Sequence, residues 1–134
     1  MVDIEYQIID RARKKLKEHN KKINVPETFI KETASFPTVT ITEKSNLPVI
    51  ETKTAHKFSH NRLMYEINIY TTGKTKKTDA KKIMDVIDDF FGYELGFNRI
   101  MAEPQDNLED LNVYRFLARY ECVIDTQTLK IYRR

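Results

Sequence analysis

Cysteine, glycine and long apolar runs are all scarce in this chain, and each shortage removes a class of function. The single cysteine, Cys122, has no partner for an intramolecular disulfide. Its neighbours in sequence are apolar and aromatic, which predicts a buried, inert thiol and not a nucleophile, and a reduced compartment fits that. Three glycines in 134 residues leave no loop to cradle phosphates. No apolar stretch approaches the roughly 20 residues that a membrane helix requires, so no membrane partner is expected. The N-terminus opens on Asp3 and Glu5 without a basic flank and apolar run, so no signal peptide is expected. A net charge of +3 is small for this length, whereas strong duplex-DNA binders carry a larger basic excess or a dense stripe.

What remains is a globular composition, 40% hydrophobic and 32% charged, in a length that suits one domain over residues 1–134. Ile4, Ile8, Ala12 and Leu16 recur at four-residue spacing, with Ile9 widening the stripe, and predict an amphipathic helix over 2–19. Its acidic residues come early and its basic ones late, in keeping with the helix dipole. β-Branched content predicts a strand over 36–43, with Pro37 at its start. Residues 44–61 are polar and are expected to form a long excursion, with a short strand at 49–52. The clearest strand is 62–71, where Leu63, Tyr65, Ile67 and Ile69 alternate with Met64, Glu66, Asn68 and Tyr70.

Gly73 and the run Lys74, Lys76 and Lys77 lead into a second helix over 78–92, with Thr78 as its N-cap. Ala80, Ile83, Met84, Ile87, Phe90 and Phe91 give it a wide apolar face, and Gly92 and Gly96 are expected to end it. A short strand over 97–102, an acidic loop over 103–112 and a long strand over 113–124 follow. In that long strand Tyr114, Phe116, Ala118, Tyr120, Cys122 and Ile124 share one face, and after a turn residues 129–132 can pair back. This order predicts an α+β fold: a mixed, largely antiparallel sheet of four to six strands with two helices packed on one face.

Catalytic chemistry is hard to place. His56 and His60 are four residues apart, a metal-ligand spacing on a helix, but their surroundings read as loop and no Cys or carboxylate accompanies them. Asp85, Asp88 and Asp89 cluster on the second helix, where the ordinary reading is its solvated face. The Lys74–Lys82 run lacks interleaved aromatics and reads as solvated, with a phosphate or acidic-partner contact as the alternative. No nucleophile and base stand with a third positioning group, so no catalytic residue, metal or cofactor is expected.

One feature asks for a partner. The long strand's non-core face carries Val113, Arg115, Leu117, Arg119, Glu121 and Val123, and the corresponding face of 62–71 carries Met64, Glu66, Asn68 and Tyr70. Arginine, tyrosine, methionine and aliphatics together resemble an interface, and a half-buried sheet back with extended charged side chains is the alternative.

Phe36-Pro37-Thr38-Val39-Thr40-Ile41, Leu63-Met64-Tyr65-Glu66-Ile67-Asn68-Ile69-Tyr70, Gly96-Phe97-Asn98-Arg99, Val113-Tyr114-Arg115-Phe116-Leu117-Ala118-Arg119-Tyr120 and the closing Thr128–Arg134 together resemble tail terminator (tail-completion) proteins of long-tailed phages of low-GC Gram-positive bacteria. Phage-tail-like bacteriocins use the same part. The resemblance covers about residues 34–134 and is one of order and texture, without a diagnostic motif. It implies a structural virion protein at the head-proximal end of the tail, assembled in the host cytoplasm. Its subunits would form a homo-oligomeric ring, usually of six, that stops growth of the tail tube protein. The ring would meet the neck or head–tail connector protein and touch DNA only in passage through its lumen. A compact chain of this length is roughly 36 Å wide, so six in a circle leave a hole of roughly 36 Å, wide enough for duplex DNA. Stacking contacts are expected from the 44–61 excursion, with Val49, His56 and Phe58, and from the acidic loop, with Asp106 and Glu109. A head–tail connector is the alternative, followed by a nucleic-acid-binding α+β module.

Overall fold

The computed structural model describes residues 3–26, 36–49, 53–54, 57–58, 60–106 and 112–131. Helix α1 is Glu5–His19 and buries Ile8, Ile9, Ala12 and Leu16, the stripe expected from its spacing. It stops at Asn20, whose N–H still donates to the Leu16 carbonyl while its own backbone is extended. The chain then turns under α1, and Ile23 and Val25 are buried although the sequence around them is polar. Arg13 holds that turn, donating from Nε and Nη2 to the Val25 carbonyl at 3.2 and 3.1 Å.

Strand β1 is Thr38–Pro48, β2 is Lys53–Thr54, β3 is Lys57–Phe58 and β4 is His60–Thr71. Helix α2, Lys76–Asp88, continues into a π-helical turn, Asp89–Glu94. Strands β5, Asn98–Gln105, and β6, Tyr114–Asp125, close the order. β1, β4, β6 and β5 form a four-stranded sheet in that spatial order, antiparallel at every pairing, while β2 and β3 pair with each other. The α+β architecture is therefore as expected, with helices packed against one sheet face.

The core lies between helices and sheet. Leu63, Tyr65, Ile67 and Ile69 of β4 and Ala118, Tyr120, Cys122 and Ile124 of β6 meet Ile83, Ile87, Phe90 and Phe91. The π turn follows from adjacent phenylalanines: its wider ladder, with Leu95 N–H bonded to the Phe90 carbonyl, keeps Phe90, Phe91 and Leu95 all inward. Gly92 lies inside this turn and does not end it. Gly96 does, at φ 78°, a left-handed conformation that suits glycine.

Four expectations need correction. Residues 44–48 are not loop: β1 continues past a bulge at Glu43/Ser45 and pairs with Asn61–Met64, so the 44–61 region is largely hairpin among the described residues. Its ladder needs no apolar alternation where the strands run beyond the helices; Asn61 Nδ2 to Asn46 Oδ1, 2.6 Å, serves instead. α2 starts at Lys76 after Thr75, two residues before Thr78. Glu103–Gln105 extends β5 and is not loop, and the closing strand reduces to one bridge between Ile131 and Ile124. Tyr132 lies outside the described residues.

Candidate interaction surface

Register decides what shares the sheet face away from the helices. In β4 and β6, Tyr70 opposes Arg115, Asn68 opposes Leu117, Glu66 opposes Arg119 and Met64 opposes Glu121. Because side chains alternate across a strand, all eight point away from the core that Tyr65 and Tyr120 fill. β1 adds Thr38, Thr40 and Thr42 beside Tyr70, Asn68 and Glu66. β5 adds Met101, Glu103 and Gln105 beside Arg119, Leu117 and Arg115. Among the described residues, no helix covers this face.

Its centre is a hydrogen-bonded ladder. Arg119 Nε donates to Glu66 Oε2 at 3.1 Å, and its Nη2 lies 3.1 Å from the same oxygen as an ion pair. Asn68 Nδ2 donates to Glu66 Oε1 at 3.2 Å, and Arg115 Nε donates to Asn68 Oδ1 at 2.8 Å. The Arg115 guanidinium also lies 5.9 Å from the centre of the Tyr70 ring. Glu66 and Asn68 are each only 8% exposed, without a helix above them, because these longer side chains lie over them. The ion pair of Arg119 with Glu66, and the bond of Arg115 to Asn68 beside the Tyr70 ring, hold the two guanidinium heads on this face.

Met64, Glu66, Tyr70, Arg115, Arg119 and Glu121 are thus brought together as expected. Val113 is buried and precedes β6, so it leaves the face. Val49 lies beyond β1, where its N–H donates to the His60 carbonyl, and Phe58 lies in β3. Asp106 is exposed just past β5, and His56 and Glu109 lie outside the described residues. The threonines of β1 and the Met101, Glu103 and Gln105 set were missed, because neighbour order cannot be read from a single strand's alternation.

The remaining titratable groups are structural. Asp88 is only half-buried but not idle: its Oδ1 accepts from the Tyr120 hydroxyl at 2.7 Å and its Oδ2 from Arg99 at 3.3 Å. Asp85 and Asp89 are exposed, as expected of a solvated face. Tyr65 donates to Glu43 Oε1 at 3.2 Å, and burial raises the pKa of both. His60 begins β4, with Nε2 3.8 Å from Asp125 Oδ2, and is not in a loop. Among the described residues, no three His, Cys, Asp or Glu side chains are placed to hold a metal, and no helix is long and apolar enough to cross a membrane.

Cys122 is buried, and burial pushes its thiol up to about 12 from 9.0. Tyr65 and Tyr120 are likewise raised above their ordinary 10.0, first by burial and then by their carboxylate partners. Above pH 9.0 the unfolded chain binds fewer protons than the folded one, so this stability is complete below that pH and is lost as pH rises towards the folded values. The urea midpoint is expected to hold through neutral pH and fall in that window, with the onset moved towards 10.0 in Cys122→Ala. A midpoint unchanged to about pH 11 would contradict the burial of these groups.

No protein-family model matches the chain, and no curated protein matches it. A solved chain whose name states no function superposes with a TM-score of 0.54 at 12% identity, over 93% of this chain and 97% of that one. That likeness shows a shared fold.

Proposed function

We propose that this chain is the subunit of a homo-oligomeric ring that caps the head-proximal end of a phage or phage-like tail tube. The observation that carries the reading is the helix-free sheet face with its Arg115–Asn68–Glu66–Arg119 ladder. A surface fixed in advance loses little entropy on docking, which suits a part that recognises a repeating polymer end. The α+β order and the resemblance in β1, β4, β5 and β6 support the same reading.

The mechanism is geometric. A tube grows because each ring exposes an end that binds the next; a terminator matches that end with one surface and presents a different one to the neck. The β1/β4 hairpin and the end of β5 near Asp106 are the contacts assigned to stacking, and DNA passes through the lumen. No reaction is assigned to the chain. Polymerising tube protein with and without it tests the proposal: capped tubes should be shorter, with extra density at one end. Identical length distributions would contradict it.

A further inference from the structure

The lysines passed over as solvated loop gain a different meaning once the helices are placed. The cleft of about 260 Å³ lined by His19, Asn20, Asp79, Lys82 and Ile83 brings the end of α1 against the start of α2. At the other end, Glu94 lies against Arg11 and Lys15 of α1, with Lys15 Nζ at 2.7 Å. The two helices are therefore antiparallel. At that end lie Lys17 of α1 with Lys21 and Lys22 just beyond it, and Lys76, Lys77, Lys81 and Lys82 of α2 with Lys74 just before it. These eight, against Glu18 and Asp79, give one pole six net positive charges, whereas the whole chain has +3 and its remainder is three negative.

Pairing is as uneven as charge. The cations towards the far pole are matched: Arg11 and Lys15 with Glu94, Arg13 and Lys14 with Asp10, and Arg99 with Asp88. Among the described residues none of the eight pole lysines has a carboxylate within ion-pair distance; Lys76 donates to the Asn112 carbonyl. The far pole carries the exposed carboxylates Asp85 and Asp89 with Asp3.

The direction of the gradient matters. In α1, acid precedes base and complements the helix dipole. In α2, Lys76 and Lys77 sit in the first turn beside Asp79, and Asp85 and Asp88 lie in the last with no cation, so the balance runs against the dipole. Helix stability does not explain that order. It makes the two antiparallel gradients add, so the helical layer is basic at one end and acidic at the other: along α2, Lys76 and Asp89 are about 20 Å apart, and the two regions meet where Lys81 and Asp85 lie one turn apart.

We infer that the lysine pole docks the acidic pole, around Asp85 and Asp89, of a second copy of this chain, head to tail. Two different, complementary patches on one chain make a heterologous contact, the kind that closes into a ring. Charges of opposite sign on facing patches set orientation and suppress the wrong pairing of like poles. The contact itself stands on these charges; only its closure into a ring rests on the proposed function.

Charge reversal tests it. Lys21→Glu, Lys22→Glu, Lys74→Glu and Lys77→Glu together take the lysine pole from six net positive charges to two net negative and give a chain acidic at both poles, and Asp85→Lys with Asp89→Lys gives one basic at both. Lys77→Glu, Asp85→Lys and Asp89→Lys bring α2 into line with its dipole, and Lys21, Lys22 and Lys74 are exposed outside the helices, so Tm should hold, which separates assembly from folding. In low-salt sedimentation over a concentration series, each variant alone should associate at least about tenfold more weakly than the parent. An equimolar mixture should recover association, because unlike poles again face each other, and added salt should remove it. A mixture that stays monomeric would overturn the inference. So would reversal without effect, or duplex DNA bound by the parent and lost only in the lysine variant while the mixture stays apart. Salt-sensitive chains of copies without closed rings would uphold this contact and count against the ring.

Discussion

Phe91→Ala is expected to cost about 3–5 kcal/mol in denaturant melts, the largest loss from any single side chain here. Phe91 is fully buried, and four rings surround it: Tyr120 stacked at 5.1 Å, Phe90 at 5.1 Å, Phe97 at 5.6 Å and Tyr65 at 6.0 Å. Those partners come from β4, β6, the π turn and the segment after it, so no single element can move inward to fill the hole. Phe90→Ala falls in the same range, since Phe90 is 2% exposed and its ring also lies 5.6 Å from the Arg11 guanidinium. A loss under about 1 kcal/mol for Phe91→Ala would mean that the π turn is not the lid of the core.

Removing the tip of the hairpin is expected to do the reverse: leave the fold and abolish capping. The core residues of β1 end at Ile41 and the apolar ones of β4 span Leu63–Ile69, and β1 and β4 pair with each other as far as Pro48 and Asn61 without the tip. Replacing 49–59, including β2 and β3, with a short Gly-Ser linker should therefore change the melt little, because loop length alone costs little. In an assembly assay the same variant should give overlong tails. β1 and β4 continue into this region and β2 pairs with β3: a paired hairpin presents its backbone in a fixed register, which an open loop does not. Normal tail lengths with the trimmed hairpin would move the stacking contact to the end of β5 near Asp106.

Periodicity made much of this fold legible. The four-residue spacing from Ile4 to Leu16 and the two-residue alternation from Leu63 to Ile69 each report one buried face, and both elements formed as expected. Lys44–Pro48 escaped because this end of β1 has no buried apolar face to betray it. Ile23 and Val25 escaped because two buried residues amid lysines carry no period; Arg13 and the bridge from Asn24 to Thr38 place them. The face of Glu66, Arg115 and Arg119 was legible as a list, not as a ladder. Sequence shows which residues share a strand face, while register shows which arginine meets which carboxylate. The lysine pole was less legible still, for it exists only once α1 and α2 lie antiparallel.

Electron microscopy of this protein mixed with preformed tail tubes decides whether identical subunits form a ring at one tube end. The expected images show a closed ring seated on one tube end only, with an open lumen and, in averaged end views, rotational symmetry matching the tube. Bare tube ends at saturating protein, or protein coating the tube wall or both ends alike, would contradict it.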